Sequence, residues 1–523
     1  MTLQRRHLLK LATASAALAS LPRTGWTRQA WGANPFSLGI ASGSPTSDSI
    51  VLWTRLGLTE VEAAGLVNSP IAVTWQLADD RSFTRIVKQG DITAVPVLGH
   101  SVHAEVNGLA PDREYFYRFI CGEAVSTIGR TRTFPRADAS VQGLRVAYAS
   151  CQQWGNGYYS AYRHMLAEQV DLVMFLGDYM YEYPASKPFD IRPTTGGWIT
   201  TLDGYRSRYA LHKSDKDLQA MHAACPWIVT WDDHEVQNDY AATHPGNSGK
   251  PVDDFMARRR TAYQAFYEHM PVRRAQFASL LNNLSQEVRV YSNIAYGRLA
   301  NIYTLDNRQY RDLQACSRNG RPGGSRVDPN TCPIWNDPKR TLLGSTQEAW
   351  LSTEFTHTQT TWNVLGLQSV FGPRNFNTQG GQSFSNDGWD GYPAARQRLI
   401  DSMRNTRLAN PILLGGDVHQ NWVGNILANY KDPKSEKIGV EFCGTSITSL
   451  TTLSNLEQAK IIAQHPHFIF GDCESRGFGV VEITPKHMTT TLKAVRDATD
   501  PQSEAFTLAR FAVQAGRTEV QKL

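Results

Sequence analysis

Four groups of side chains able to bind metal recur along the chain, each directly after a short apolar run. Residues 144–150 lead to Cys151, and 171–176 lead to Gly177-Asp178-Tyr179-Met180-Tyr181. Residues 227–231 lead to Asp232-Asp233-His234-Glu235, with Asn238 just beyond, and 412–414 lead to Gly415-Gly416-Asp417-Val418-His419. A carboxylate such as Asp178 offers two oxygens and can bridge two cations, and two metals about 3.5–4 Å apart form a clamp on a phosphoryl group. Asp417 and His419 are two residues apart, so both can project from one extended strand end. Tyr181 lies three residues past Asp178 and can reach the same ion around a tight turn. A phenolate or thiolate needs strong positive charge to form near neutral pH, which a trivalent iron supplies. Asp233 and Asn238 offer hard oxygens suited to calcium, magnesium or manganese. Singly, each group has an ordinary reading: a buried small thiol, a turn, or an acidic helix start. Their recurrence at strand ends, expected in one parallel sheet, argues for a shared site at the carboxyl edge.

The elements that must position these groups fall into two patterns. From residue 35 to about 135 the chain reads as short β-strands at 49–54, 71–77, 101–106, 115–120 and 127–133. They are rich in β-branched and aromatic residues and separated by Pro, Asp and Gly. The stretch 109–117 resembles the penultimate-strand region of a fibronectin-III-like sandwich with its buried Tyr, which predicts a small β-sandwich over 34–136. Beyond 136 the rhythm changes to strand 144–150, helix 159–169 and strand 171–176, a β-α-β unit with strands buried on both faces. Further strands are expected at 227–231, 300–305, 362–368 and 412–414, and an amphipathic helix at 253–270. The polar stretches 185–200, 316–340 and 372–393 read as loops around the mouth of a site.

A chain of 523 residues is long for a single core, so two domains are expected after any leader. With 41% hydrophobic and 19% charged residues the composition is ordinary and globular. The net charge of +5, without a long basic run, argues against nucleic acid as the main partner. Arg5-Arg6 followed by an Ala-rich apolar stretch at 11–21 resembles a twin-arginine export signal over 1–33. That implies the twin-arginine export machinery as a partner and a periplasmic or secreted product. No run of about 18 apolar residues suggests a transmembrane segment. Seven cysteines in an exported protein leave at least one outside a disulfide. Cys316 and Cys332 bracket a Gly/Pro/Arg/Asn-rich loop, the setting of a surface disulfide. No C-x-x-C occurs, which speaks against a zinc ribbon, and Cys151 is the cysteine assigned to the chemistry.

The motifs Ala149-Ser150-Cys151-Gln152, Leu176 to Glu182, Trp231 to Glu235, Leu305-Asp306-Asn307-Arg308-Gln309-Tyr310-Arg311 and Gly416-Asp417-Val418-His419 resemble those of PhoD-like alkaline phosphatases and phosphodiesterases. Gly39 to Pro45 and Leu52-Trp53-Thr54-Arg55 resemble that family's N-terminal domain. More distantly, Gly-Asp-x-x-Tyr followed by Asp-x-His is similar to purple acid phosphatases, with Cys151 in place of their first carboxylate and Asp417 in place of a His. The resemblance implies an α/β fold: a metallophosphoesterase-like α/β sandwich over 137–523 behind the small fibronectin-III-like domain. It also implies one ferric ion (Fe3+) and two calcium ions (Ca2+). Cys151, Asp178, Tyr181 and His419 would hold iron; Asp178, Asp233, Asn238 and Asp417 would serve calcium, with Asp232 as a further candidate. His234 would stand beside the phosphate as donor or acid. Arg308 would contact the phosphate, its ordinary alternative being a buried ion pair. The implied activity is hydrolysis of phosphate esters by attack of a metal-bound hydroxide or oxide. No Gly-x-Ser-x-Gly elbow, Cys-x5-Arg loop or Walker A suggests a side-chain nucleophile instead. Small-molecule esters are the expected substrates. A phospholipase D-like action on lipid or teichoic-acid-type polymers is the alternative, and an inert surface-binding protein the remote one. The β-like segment 508–520 closes the chain where some relatives carry a helix over the site.

Overall fold

The computed structural model describes residues 30–184, 190–194, 196–249 and 251–523, so the export signal expected over 1–33 lies almost wholly outside the described residues. Two β-sheets face each other, and helices cover their outer faces. The larger sheet has ten strands, the smaller seven. The centre of the larger sheet is parallel: Leu144–Ala149, Leu172–Leu176 and Pro226–Thr230 pair side by side. These runs are apolar without alternation because both faces are covered. One face packs Val146, Tyr148, Met174 and Leu176 against Ile302, Val364, Leu414 and Phe442 of the seven-stranded sheet. The other packs Phe175, Trp227 and Val229 against the helices Ser160–Ala167, Leu202–Lys213, Lys216–Ala224 and Phe255–His269. Helices Ser345–His357 and Pro393–Asn405 cover the outer face of the second sheet.

The β-rich first hundred residues build one layer of their own and borrow the other. Ile71–Ala78, Ile86–Ala94, Glu114–Cys121, Ala124–Val125 and Gly129–Arg132 form a five-stranded sheet. Its partner layer, Ile40–Gly43, Ser49–Arg55 and Ser101–Asn107, is the far edge of the ten-stranded sheet, joined in parallel through Ser42 opposite Pro226. Tyr115 is buried and its hydroxyl accepts the Ala110 N–H at 3.0 Å, which pins the turn before its strand. The α/β fold expected from the sequence is therefore present, and the small sandwich is continuous with it.

One expectation is corrected. The four metal-binding groups do not end strands of a single sheet: Pro411–Gly415, which leads to Asp417, belongs to the seven-stranded sheet, paired with Trp362–Gly366 and Lys437–Cys443. An apolar strand covered on both faces has the same composition in either sheet, so its sequence does not say which it joins. The two sheets meet at their strand ends because glycine permits it. A Cβ on Gly416, after a strand of the smaller sheet, would fall 2.3 Å from Ser150 Oγ of the larger; within the larger sheet, a Cβ on Gly177 would likewise fall 2.5 Å from Asp232 Cβ. The disulfide between Cys316 and Cys332 is present, and the other five cysteines are free and buried.

Candidate metal centre

Where the two sheets meet, the turns after the strands hold their side chains in a shared cleft, buried at Cys151, Asp178, Asp232 and Asp233 and partly open at Asp417 and His419. Cys151, Asp178, Asp417 and His419 all have positive φ, between 57° and 67°. Such a backbone is costly for residues with a Cβ, and it concentrates where function requires it. Ladder-like bonds tie the first two turns together: Cys151 N–H donates to Gly177 O at 3.1 Å, and Gln152 N–H to Asp178 O at 3.1 Å. Glu235 ties the second turn to the third, accepting from Tyr179 N–H at 2.6 Å and Asp232 N–H at 2.9 Å.

Potential ligand atoms of Cys151, Asp178 and His419 lie within 4.8 Å of one another. Tyr181 joins them: its hydroxyl is 3.1 Å from Asp178 Oδ2 and 3.2 Å from His419 Nε2, and it accepts from Ser449 Oγ at 2.7 Å. His419 Nδ1 lies 2.7 Å from Leu450 O. A carbonyl only accepts, so Nδ1 carries the proton and Nε2 presents its lone pair to the cluster. Three more sets satisfy the same distance: Asp178–Asp233–His234, Asp232–Asp233–Asp417 and Asp233–Asp239–Asp387. Asp178 and Asp233 are each shared between sets, as bridging carboxylates would be.

The charge balance is lopsided. Burial, reinforced by neighbouring acids, pushes the Asp178 and Asp232 carboxyls well above the usual range and Asp417 up to about 6. Asp233 moves the other way against its own burial, held ionised by Arg308 and His234. Burial and the Asp178 carboxylate push the Cys151 thiol and the Tyr181 phenol well up. Arg308 is fully buried and faces four acids. Its Nε bonds Asp232, Nη1 pairs with Asp387 at 2.9 Å, and Nη2 lies 3.6 Å from Asp233 and 3.8 Å from Asp417. His234 lies against Tyr181, its Nδ1 held at 2.8 Å by Glu182, whose other oxygen accepts the Asn238 N–H at 2.8 Å. Its pKa is raised well above the usual value: burial opposes the proton, but Asp178, Asp233, Tyr183 and Glu182 hold it.

Comparison with known proteins agrees with this geometry. The model of the PhoD-like phosphatase family matches residues 146–492, and that of the PhoD-like phosphatase N-terminal domain matches 20–135. The chain belongs to the PhoD-like phosphatase family. It is 41% identical over 495 residues to alkaline phosphatase D of Bacillus subtilis (strain 168), covering 94% of this chain and 82% of that protein. A solved structure of PhoD superposes with a TM-score of 0.87 at 40% identity, covering 94% of this chain and 93% of that one. The family read from the motifs, and the phosphoester hydrolase chemistry that goes with it, stand on these matches.

As a PhoD-like phosphatase, the chain has a donor set that fits bound cations. Asp232 Oδ2 and Asp233 Oδ1 are buried without any hydrogen-bond partner, at the centre of the acidic sets. Orphaned buried oxygens beside like charges are costly unless a cation meets them. Of the residues singled out from sequence, Cys151, Asp178, Tyr181, His234, Asp232, Asp233, Asp417 and His419 converge. Asn238 is anchored through its backbone to Glu182, and Arg308 is committed to carboxylates. Sequence reasoning missed Asp239 and Asp387. Asp239 is next to Asn238, so proximity to a motif could have flagged it; Asp387 comes from the long 372–393 loop and carries no strand-end signal. Burial raises Asp239 to about 8, with Asp387 the next cause.

Proposed function

We propose that this chain is an exported, metal-dependent alkaline phosphatase/phosphodiesterase holding one ferric and two calcium ions. The observation that carries the reading is the acidic cleft with buried, unpartnered oxygens on Asp232 and Asp233, whose carboxylates outnumber the cations that face them, Arg308, Arg311 and His234. Cys151, Asp178, Tyr181 and His419 would hold iron. Asp178, Asp232, Asp233 and Asp417 would serve calcium, with Asn238 close by and Asp239 and Asp387 as additions. When bound, the cations supply positive charge against the phosphoryl oxygens and activate water for in-line attack.

The chain's own residues do the rest. Leu450 O fixes the His419 tautomer, and Ser449 orients the Tyr181 hydroxyl. Glu182 holds His234 through Nδ1, leaving the other ring nitrogen to give a proton to the leaving oxygen. Arg308 positions Asp232 and Asp387, and its Nη2, the least committed nitrogen, is the part suited to meet a phosphate. Export rests on Arg5-Arg6 and the apolar stretch that follows, and among the described residues no helix is long and apolar enough to cross a membrane. The division of the chain near 136 is supported by the two family matches, which end at 135 and begin at 146.

The test pairs metal analysis with turnover. Purified protein should carry iron near one per chain with calcium, and it should hydrolyse p-nitrophenyl phosphate and its bis-ester. Cys151→Ala should lose iron and at least ~100-fold in kcat/KM. Full iron retention in C151A would overturn the ligand assignment, and turnover indifferent to chelators would overturn the metal reading.

A further inference from the structure

Beside the centre, two arginines lack counter-ions. Arg374 is only 4% exposed, yet its Nε has no acceptor, and among the described residues no carboxylate lies within ion-pair distance of its guanidinium. The group lies 5.3 Å from the Phe376 ring and 5.4 Å from the Trp422 ring. Arg326, more exposed, stacks its guanidinium 3.0 Å from the centroid of the same Phe376 ring and likewise has no acid partner among the described residues. The nearby acids are already spent. Asp390 pairs with Arg396 at 2.9 Å and accepts the Arg374 backbone N–H at 3.3 Å. Glu441 accepts the backbone N–H groups of Phe371 and Gly372. Two cations therefore bracket one aromatic ring without an anion between them.

The location gives this imbalance a meaning. Trp422 is three residues past His419, and Phe376 packs on the same apolar cluster as Val418, the residue between Asp417 and His419. The arginine pair is thus joined, through the Phe376 and Trp422 rings, to the apolar cluster that also takes Val418 from the turn carrying two of the proposed ligands. We propose that Arg326 and Arg374 form an anion subsite for a second phosphate group of the same substrate, distinct from the one hydrolysed at the metal centre. Guanidinium forks match phosphate oxygens in pairs, and partial burial shields the contact from salt. The inference rests on the phosphoesterase reading above. Free inorganic phosphate offers the same chemistry, and the test separates the two sources.

Two substrates with one leaving group isolate the second phosphate: p-nitrophenyl phosphate, and a p-nitrophenyl ester extended by one further phosphodiester unit. At low salt the wild type should favour the extended ester in kcat/KM by about tenfold. Arg326→Gln with Arg374→Gln should erase that preference, with less than twofold change on p-nitrophenyl phosphate. Arg326→Gln alone, at the more exposed position, should remove part of it and guards against a folding defect. An intact preference in both variants would overturn the subsite, as would an equal fall on both substrates with an unchanged melting temperature. Calorimetric titration with inorganic phosphate forms the second arm. If the double variant loses a second bound equivalent while the preference survives, the pair takes free phosphate and the substrate assignment is wrong. If the wild type hydrolyses neither ester, the phosphoesterase reading has failed, and a second phosphate equivalent lost in R326Q still supports the anion site.

Discussion

Two polar clusters of the molecule are built on opposite terms. Around Glu268, at the junction of the first hundred residues with helix Phe255–His269, the charged groups and the His269 ring find partners. Arg206 donates to both Glu268 oxygens at 2.7 and 2.6 Å, Arg55 Nε to Gly99 O at 2.7 Å, and Gln264 to Glu268 at 2.9 Å. No nitrogen or oxygen of Arg55, Arg206, Glu268 or His269 is buried without a partner. Around Asp178 and Asp233 carboxylates crowd together, oxygens are orphaned and four ligand residues hold left-handed backbone. A completed network has no need of a ligand; an incomplete, like-charged one is stable only with something added. The contrast separates scaffold from site without reference to any relative.

Removing a charge from each cluster should break the protein in different ways. Asp178→Asn should abolish phosphatase activity by roughly 10³-fold or more, because a shared ligand of two sets is lost. In chelator-treated protein the same change should raise the melting temperature slightly, by about 1–2 °C, since it relieves repulsion among buried acids. Steady-state kinetics beside calorimetry of the metal-free protein reads both effects; a lower melting temperature for metal-free D178N would refute the account of stored repulsion. Glu268→Gln should do the reverse. It leaves Arg206 and Arg55 without their buried counter-charge and should cost about 3–5 kcal/mol of stability, with metal content and kcat unchanged in the protein that remains folded. Loss of bound iron in E268Q would show that the two clusters are not independent.

The same contrast explains what the sequence made legible. Cys151, Asp178, Tyr181, Asp417 and His419 stand directly after apolar runs, and a strand buried on both faces must release its next polar residue at an end. Asp387 could not be read this way, because a loop of more than fifteen residues places it by tertiary contacts with Arg308, Arg311 and Gln314. Nor could Arg308 be resolved between a phosphate contact and an ion pair; only the four surrounding acids show how far it is committed. Strand Ile86–Ala94 escaped notice since it is mostly exposed and carries Lys88, Gln89 and Asp91. Helix Ser345–His357 escaped since only Gln347, Leu351 and Phe355 are buried along it. The second sheet was invisible as such, since its parallel strands have the composition of those in the first.

The completed cluster also yields the smallest effect, and a directional one. His269 Nδ1 lies 2.6 Å from Ala265 O and so donates, while Nε2, 2.7 Å from Arg55 Nη1, accepts. The ring is therefore neutral, and burial followed by the Arg55 charge holds its pKa well below the usual value. In the unfolded chain the same imidazole titrates near 6.5. Below that pH the unfolded state takes up a proton that the native state refuses. Stability should thus be unaffected by this residue above pH 7 and fall as the pH drops below 6.5, by at most ~1.4 kcal/mol per pH unit. Denaturant titrations of wild type and His269→Gln between pH 7.5 and 5 isolate the term: the difference between the two curves should narrow steadily toward acid. A constant difference would mean that His269 titrates alike in the native and unfolded states, and that the cluster around Glu268 does not keep the ring neutral as its hydrogen bonds indicate.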